Sequence, residues 1–335
     1  MRSVAAAGTR SRPAPRRDVS ARVLRRARLP GGRGNGEVWC VSSRDVGFLY
    51  HEVGESAASC AYLRHGVSIA PGDTVVDVGA NIGLFTRLAR RLAGPSGRVL
   101  ALEPVREIYE CLVRNVAEDC GPGLAAAVTR QVGVSDVRGS ADFNFYPGGA
   151  GWSGVAEADR GGGREDGVGS RANVASTVQF VVNVLDTPAA AGRALGRVTA
   201  VIGRALKWAL PAWTFELVVS FCVGRMAAGG RRVECELTTL SDALAWAGMD
   251  DGGPIHLLKV DVEGHEVEVL RGISDSDFAR VQQAALEVQT EASVTAVSQL
   301  LAAHGLNVVA GQDPALVGTP FYTVHARRPQ TISSS

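Results

Sequence analysis

Short apolar runs alternate with helical stretches along the middle of the chain. Three of the four residues 75–78 are valines, a turn with two glycines follows, and residues 84–92 place apolar side chains at helical spacing. A Gly-Pro pair at 94–95 ends that helix before a second apolar run over 98–102. Because parallel strands need a crossover between them, this strand–helix–strand order predicts a parallel sheet.

The same alternation continues towards the end of the chain. We expect helices over 106–117 and 293–303, a short helix from Glu263, strands over 128–134, 140–146, 255–261 and 284–288, and a terminal hairpin of 307–310 with 321–326. Strand after helix after strand, without an internal repeat, predicts one doubly wound α/β domain over 36–335.

Two stretches interrupt this pattern. Residues 147–170 contain nine glycines in 24 positions, which predicts a mobile loop. Residues 188–230 form a hydrophobic insertion that is broken by Lys207, Pro211 and Glu216. Since a membrane-spanning helix needs about 20 apolar residues, we expect α-helices that form a lid, a hairpin packed on the sheet, or a peripheral contact with a membrane surface.

The first 35 residues differ in composition from the rest. They hold ten Arg, no Lys and one acid, and Val19, Val23 and Ala27 fall on one side of a short amphipathic helix opposite arginines. This composition is typical of a transit peptide, which would place the protein in a plastid or mitochondrion. The alternative is a disordered basic tail on a cytoplasmic protein.

Composition and charge exclude several classes of protein. At 335 residues and 46% hydrophobic, the chain can bury a large core. Without the leader it has 25 basic and 33 acidic residues, and this net charge of −8 has no general attraction for nucleic acid. The six cysteines include no C-x-x-C pair, so we expect reduced thiols and no zinc finger.

Candidate chemistry begins at the turn after the first strand of the strand–helix–strand unit. Gly79 and Gly83 allow a ligand to approach the backbone at a helix N-terminus, but the G-x-G-x-x-G spacing of dinucleotide dehydrogenases is absent. Glu103, after the next strand, can accept both hydroxyls of a ribose, and Asp77 can meet a cationic amino group. A ligand with a ribose and an ammonium but no phosphate fits, and S-adenosylmethionine is such a ligand.

Five segments together resemble the FkbM family of S-adenosylmethionine-dependent methyltransferases. They read VVDVGANIGLFTRLA, ALEP, VGVSD, ECELTTLSDAL and LLKVDVEGHEVEVLRG, and the similarity runs in pieces from about 70 to 325, interrupted at 155–232. The resemblance implies a Rossmann-like, mostly parallel sheet of seven strands with the last antiparallel, and O-methylation of a hydroxyl or carboxyl group. By position it also implies cofactor contacts: Asp77, Gly79, Asn81 and Gly83 at the methionine end, Glu103 at the ribose, and Val134 and Ser135 at the adenine.

A second candidate cluster comprises Asp261, Glu263 and His265. Asp261 ends a buried strand, at the edge where open α/β sheets bind ligands. Glu263 or His265 could be the general base for a hydroxyl acceptor, or both could simply begin the next helix, with Asp261 positioning cofactor or acceptor. Two carboxylates and one imidazole are an incomplete set for a divalent metal, so we expect none. Lys259 predicts a salt bridge to Asp77 or Asp261.

The sequence therefore predicts a methyltransferase that uses S-adenosylmethionine on a hydroxyl of a small molecule, lipid or glycan. A nicotinamide-dependent oxidoreductase is disfavoured by the glycine spacing. A catalytically silent protein that keeps the fold and acts through a membrane or partner surface at 188–230 is a further alternative.

Overall fold

The structure is a computed structural model of the 335-residue chain. It describes residues 24–29, 36–43, 46–54, 56–119, 121–156, 179, 182–183, 211–313 and 316–329. Most of the leader, the second half of the glycine-rich loop and residues 188–210 of the insertion lie outside these ranges.

The described part of the chain is an α/β structure. Its strands are β1 Arg25–Arg28, β2 Glu37–Cys40, β3 Thr74–Val78, β4 Arg98–Leu102, β5 Ala126–Arg130, β6 Gly133–Val134, β7 Gly139–Phe145, β8 Gly154–Val155, β9 Arg231–Thr238, β10 Leu257–Val260, β11 Gln283–Gln289, β12 Asn307–Gly311 and β13 Phe321–Arg327. Its α-helices are α1 Val46–Val53, α2 Leu84–Ala93, α3 Arg106–Glu118, α4 Ala212–Ala227, α5 Leu240–Trp246, α6 Glu266–Arg271, α7 Asp275–Arg280 and α8 Glu291–Ala303.

The central sheet has seven strands in the order β5-β4-β3-β10-β11-β13-β12. Strands β5, β4, β3, β10 and β11 are parallel, whereas β13 runs antiparallel to both of its neighbours. This arrangement confirms the predicted mostly parallel seven-stranded sheet with a final antiparallel strand. The direction of strand progression reverses between β3 and β10, and open α/β sheets bind their ligands at such a switch point.

Alternation of side chains along the strands builds two core layers. Val75 of β3 belongs to the apolar cluster that contains Phe85 and Leu88 of α2. Its neighbour Val76 belongs to the cluster on the opposite face, which contains Leu244 of α5. Because successive side chains of a strand point to opposite faces, one buried strand is covered by helices on both sides.

Four further strands form a smaller, separate sheet in the order β6-β9-β7-β8. The predicted single strand over 128–134 is wrong, since β5 ends at Arg130 and β6 pairs with β9 instead. A Cβ atom at Gly133 would lie 2.7 Å from Leu237, so glycine permits this close approach. Residues 147–156 of the glycine-rich segment are also more ordered than predicted, because they contain a 3-10 turn, Ala150–Trp152, and β8.

The predicted amphipathic helix in the leader is wrong over its described residues. Arg25–Arg28 is a strand that pairs antiparallel with β2. Its Arg26 contacts Glu118 at the end of α3, and the Trp39 indole N–H of β2 donates to the same carboxylate over 2.7 Å. Strand pairing and these contacts override the helical spacing, so the fold includes part of the first 35 residues.

The insertion contributes α4 to the described structure. Trp213, Leu217, Val218 and Phe221 of this helix are exposed apolar side chains. None of the helices within the described ranges has the length and apolar character needed to cross a membrane. The lid, packed-hairpin and membrane-surface interpretations of 188–230 stay predictions.

Candidate active site

The turn between β3 and α2 brings two loops into direct contact. Gly79 has a φ of +73°, and a Cβ atom there would lie 1.7 Å from the carbonyl oxygen of Asp261. Only glycine allows this approach, which joins the first turn to the loop after β10. Asn81 has a left-handed conformation as well, with a φ of 49°.

Glu103 lies directly after β4 with both carboxylate oxygens held by backbone groups. The Asn81 N–H donates to Oε2 over 3.1 Å, and the Val105 N–H donates to Oε1 over 2.9 Å. Burial raises the pKa of Glu103 to about 7, although the two N–H groups and Lys259 act in the opposite direction. Each oxygen retains a lone pair, so the fixed carboxyl group can accept hydroxyl hydrogen bonds.

Asp77 lies beneath the turn rather than at the cavity surface. It is fully buried, its Oδ2 accepts a 2.6 Å hydrogen bond from the Thr86 hydroxyl, and its Oδ1 is 3.2 Å from the Lys259 ammonium. These contacts connect β3 to α2 and β10. The structure thus places Asp77 as an internal partner of Lys259 and Thr86.

Lys259 links the two loops at the switch point. Its ammonium donates to the Gly79 carbonyl oxygen over 2.8 Å and lies 3.3 Å from Asp261 Oδ2, in addition to its contact with Asp77. Its side chain is 4% exposed. Burial opposes its charge, but Asp77 and Asp261 overcome this and raise the pKa of Lys259 above its usual value. The predicted salt bridge is confirmed, and it involves both carboxylates.

The loop after β10 presents Asp261, Glu263 and His265. Asp261 Oδ2 accepts a hydrogen bond of 3.0 Å from the Tyr62 hydroxyl, and Glu263 Oε2 accepts one of 2.6 Å from the Gln289 amide. The helix predicted from Glu263 begins only at Glu266, because Glu263 and Gly264 have positive φ values of 55° and 102°. Glu263 and His265, the two residues predicted as alternative general bases, both line the cavity.

One cavity of about 270 Å³ joins the two loops. The predicted site residues that line it are Gly79, Asn81, Glu103, Val134, Asp261, Glu263 and His265. Asp77, Gly83 and Ser135 are not among its lining residues. Gly83 instead approaches α3, where its Cβ would lie 2.6 Å from Leu112, and the Ser135 hydroxyl donates to Asp136. Their cofactor contacts stay predictions.

Two carboxyl groups that the sequence interpretation missed also line the cavity. Glu52 comes from α1, and Glu287 comes from β11. Leu286 pairs with Val260, so Glu287 and Asp261 are the next residues on neighbouring parallel strands and share one face of the sheet. Glu287 is a single charged residue within the apolar run 284–288, and this could have indicated a functional role. No local pattern in the sequence distinguishes Glu52.

These carboxyl groups share a low-dielectric environment. Burial raises the pKa of Glu52, Glu263 and Glu287 well above the usual glutamate value, and neighbouring carboxylates raise each further. Within the residues that the structure describes, no group of three or more His, Cys, Asp or Glu side chains is arranged to hold a metal ion. We call the part of this lining around Glu103 the expected cofactor end, and the four carboxyl groups the acidic wall (Glu52, Asp261, Glu263 and Glu287).

A seven-stranded, mostly parallel sheet with a cavity at its switch point and a fixed acid after β4 is the arrangement predicted above for a methyltransferase that uses S-adenosylmethionine. The residues present fit that cofactor, since Glu103 offers fixed acceptors for ribose hydroxyls and the glycine turn admits a ligand to the backbone. The family model for the methyltransferase FkbM domain matches residues 77–306, and the chain belongs to the FkbM methyltransferase family.

Two methyltransferases align with most of this chain. The chain is 32% identical over 307 residues to the 31-O-demethyl-FK506 methyltransferase FkbM of Streptomyces tacrolimicus, covering 91% of this chain and 98% of that protein. It is 26% identical over 258 residues to the methyltransferase sdnD of Sordaria araneosa, covering 74% and 77% of the two chains. A solved SAM-dependent O-methyltransferase from Thermotoga maritima aligns with a TM-score of 0.37 at 10% identity, covering 89% of this chain and 78% of that one.

Proposed function

We propose that this protein methylates a hydroxyl group of a small molecule, with S-adenosylmethionine as the methyl donor. The observation that supports this most strongly is the continuity of one cavity from Glu103 to the acidic wall. A hydroxyl acceptor must lose a proton during the reaction, and carboxylates close to it can accept that proton. The name of the Streptomyces relative describes an O-methylation as well.

Bound S-adenosylmethionine supplies the methyl group as an electrophile. The protein's own part is to bind, align and exclude water. Glu103, whose two oxygens are fixed by backbone N–H groups, would hold the ribose, and Lys259 links the Gly79 turn to Asp261. Asp261 in turn stays oriented by Tyr62.

The remaining lining supports a small acceptor with apolar parts. Leu49, Trp152, Leu316 and Phe321 line the cavity together with the acidic wall. Apolar side chains bury the body of a ligand, while a few polar groups fix its orientation. The acceptor we propose is a hydroxylated small molecule with an apolar skeleton, rather than a lipid surface or a long glycan.

The test uses the full chain and S-adenosylmethionine that carries a deuterated methyl group. The protein is incubated with fractionated small-molecule extract, and mass spectrometry identifies products that gain one labelled methyl. We expect a labelled methyl ether that survives mild alkali. Release of labelled methanol by alkali would indicate a carboxyl acceptor, and label in lipid or glycan fractions alone would contradict the small-molecule proposal.

A further inference from the structure

The four carboxyl groups of the acidic wall differ in the number of hydrogen bonds and ion pairs that they make within the protein. Asp261 accepts hydrogen bonds from Tyr62 and contacts the Lys259 ammonium, and Glu263 accepts one from Gln289. The carboxyl groups of Glu52 and Glu287 make no hydrogen bond or ion pair with any residue that the structure describes, although the Glu52 backbone carbonyl accepts from the Ala61 N–H. Both side chains face the cavity, so their oxygens are available to an acceptor there.

The fold brings these two glutamates to the same place from opposite sides. Glu287 extends the row of charged side chains that runs along one face of the sheet from Asp77 through Lys259 and Asp261. Glu52 approaches this row from α1, in the layer that covers that face. Among charged neighbours, Glu52 raises the pKa of Glu287 most, whereas Asp261 and Glu263 act most strongly on Glu52.

From this geometry we propose that Glu52 and Glu287 are a carboxyl pair that accepts the proton of the acceptor hydroxyl. The proposal rests on the proposed function, since it requires a hydroxyl acceptor. The acceptor O–H bond breaks, and its proton moves to a carboxylate oxygen of Glu52 or Glu287. The two electrons left on the acceptor oxygen form the bond to the methyl carbon. The two electrons of the broken methyl–sulfur bond stay on sulfur.

The charges around the pair favour one retained proton. Burial raises the pKa of both glutamates, and Lys259 acts against this in each case. The ionisable groups that face them from the surrounding elements are Lys259 and Asp261 at the end of β10, Glu263 in the loop, Glu266 of α6 and Tyr62. Two like charges in such a site cannot both form easily, so the pair titrates as a unit.

The kinetic test compares Glu287→Gln, Glu52→Gln and the double variant on the acceptor found by methyl labelling. We expect each single change to lower kcat by ~10²–10⁴-fold, and the double change to cost little more, because the two groups act as a unit. Glu291→Gln, an exposed acid at the start of α8, is the matched control and keeps full activity. The wild-type rate should rise with pH through the raised pKa of the pair, and this rise should be lost in Glu287→Gln.

A second readout does not depend on any acceptor. Nuclear magnetic resonance of the full chain with carboxyl-labelled glutamate, saturated with S-adenosylhomocysteine, follows the two signals that disappear in Glu52→Gln and Glu287→Gln. We expect both to titrate above the usual glutamate range, and each variant to lower the pKa of the remaining partner. The proposal would be overturned if Glu52 and Glu287 titrated independently in the usual glutamate range, or if Glu287→Gln kept full kcat. If labelling finds no acceptor, the proposed function fails, while the titration still decides whether the pair exists.

Discussion

The two ends of the cavity are built from different parts of the chain. At the cofactor end, backbone groups provide the geometry: the Gly79 turn lies against Asp261, and N–H groups of Asn81 and Val105 fix Glu103. At the acidic wall, which is the proposed acceptor end, the side chains come from three separate segments, and the carboxyl groups of Glu52 and Glu287 make no hydrogen bonds to described residues. Because backbone groups hold the first end and side chains form the second, we expect side-chain substitutions to alter the second end more readily.

Lys259 is the contact between these two ends. It touches Gly79 on one side and Asp261 on the other, with Asp77 beneath it. The comparison therefore predicts that changes at Lys259 affect both ends, while changes elsewhere affect one.

The largest effect is expected from Lys259→Met. It leaves two carboxylates at the switch point without their cation, and breaking a buried ion pair in this way costs about 3–5 kcal/mol of stability. Urea unfolding measures the loss, and Asp77→Asn combined with Lys259→Met should recover part of it. An unchanged unfolding midpoint in Lys259→Met would show that the ammonium does not hold the two ends together.

Glu103→Gln tests the cofactor end alone. Losing charge-assisted hydrogen bonds of about 1.5–3 kcal/mol should weaken S-adenosylmethionine binding by about ten- to a hundredfold. Calorimetric titration measures this affinity, and Glu110→Gln on the outer part of α3 is a control whose affinity should match wild type. Equal affinities in Glu103→Gln and wild type would remove Glu103 from the ribose site.

The pH dependence of S-adenosylmethionine binding is a second test of the cofactor end. If Glu103 holds the ribose, it accepts hydroxyl hydrogen bonds best when ionised, and burial raises its pKa to about 7. We therefore expect affinity to fall below pH 7, by at most about tenfold per pH unit, with this dependence weakened in Glu103→Gln. The pKa of Glu103 is about 7 in the folded chain and about 4.5 in the unfolded chain. Between these values the unfolded chain loses the proton that the folded chain retains, so the contribution of Glu103 to folding stability falls as pH rises from 4.5 to 7. A flat affinity from pH 5 to 8 would contradict an ionised Glu103 at the ribose.

The smallest effect is expected at the edge of the acceptor end. Trp152 lines the cavity in the segment that lies against Glu263, where a Cβ at Gly154 would come within 2.9 Å of that side chain. Trp152→Ala should raise the acceptor KM by about 2- to 10-fold, as expected for the loss of one aromatic contact, and leave cofactor affinity unchanged. A change in cofactor affinity of the same size would place Trp152 at the wrong end of the cavity.

The sequence placed Gly79, Asn81 and Glu103 at the site, and all three line the cavity because they are close together along the chain. Asp77, Gly83 and Ser135 do not line it. Asp77, Gly79 and Glu103 belong to one strand–helix–strand unit, and its pattern of valines, glycines and acids defines the turn and the following strand. Asp261 and Glu263 were found through a second such segment. Their placement on one cavity with Glu103 follows from the pairing of β10 with β3, whereas the alternation of elements predicted only a doubly wound, mostly parallel sheet.

The rest of the acceptor end depends on long-range packing. Glu52 reaches the cavity only because α1 covers one face of the sheet, and Glu287 becomes a neighbour of Asp261 only through the pairing of β10 with β11. The errors have the same origin. The helix expected around Arg25 became a strand by pairing with β2, and the strand expected over 128–134 divided where Gly133 approaches the second sheet.

Binding of S-adenosylhomocysteine to three forms of the full chain tests the separation of the two ends most directly. Calorimetric titration compares wild type, Glu103→Gln and Glu287→Gln under one set of conditions. We predict that Glu103→Gln binds about ten- to a hundredfold more weakly and that Glu287→Gln binds like wild type. Equal weakening in both variants, or in Glu287→Gln alone, would contradict a cofactor end that is independent of the acidic wall.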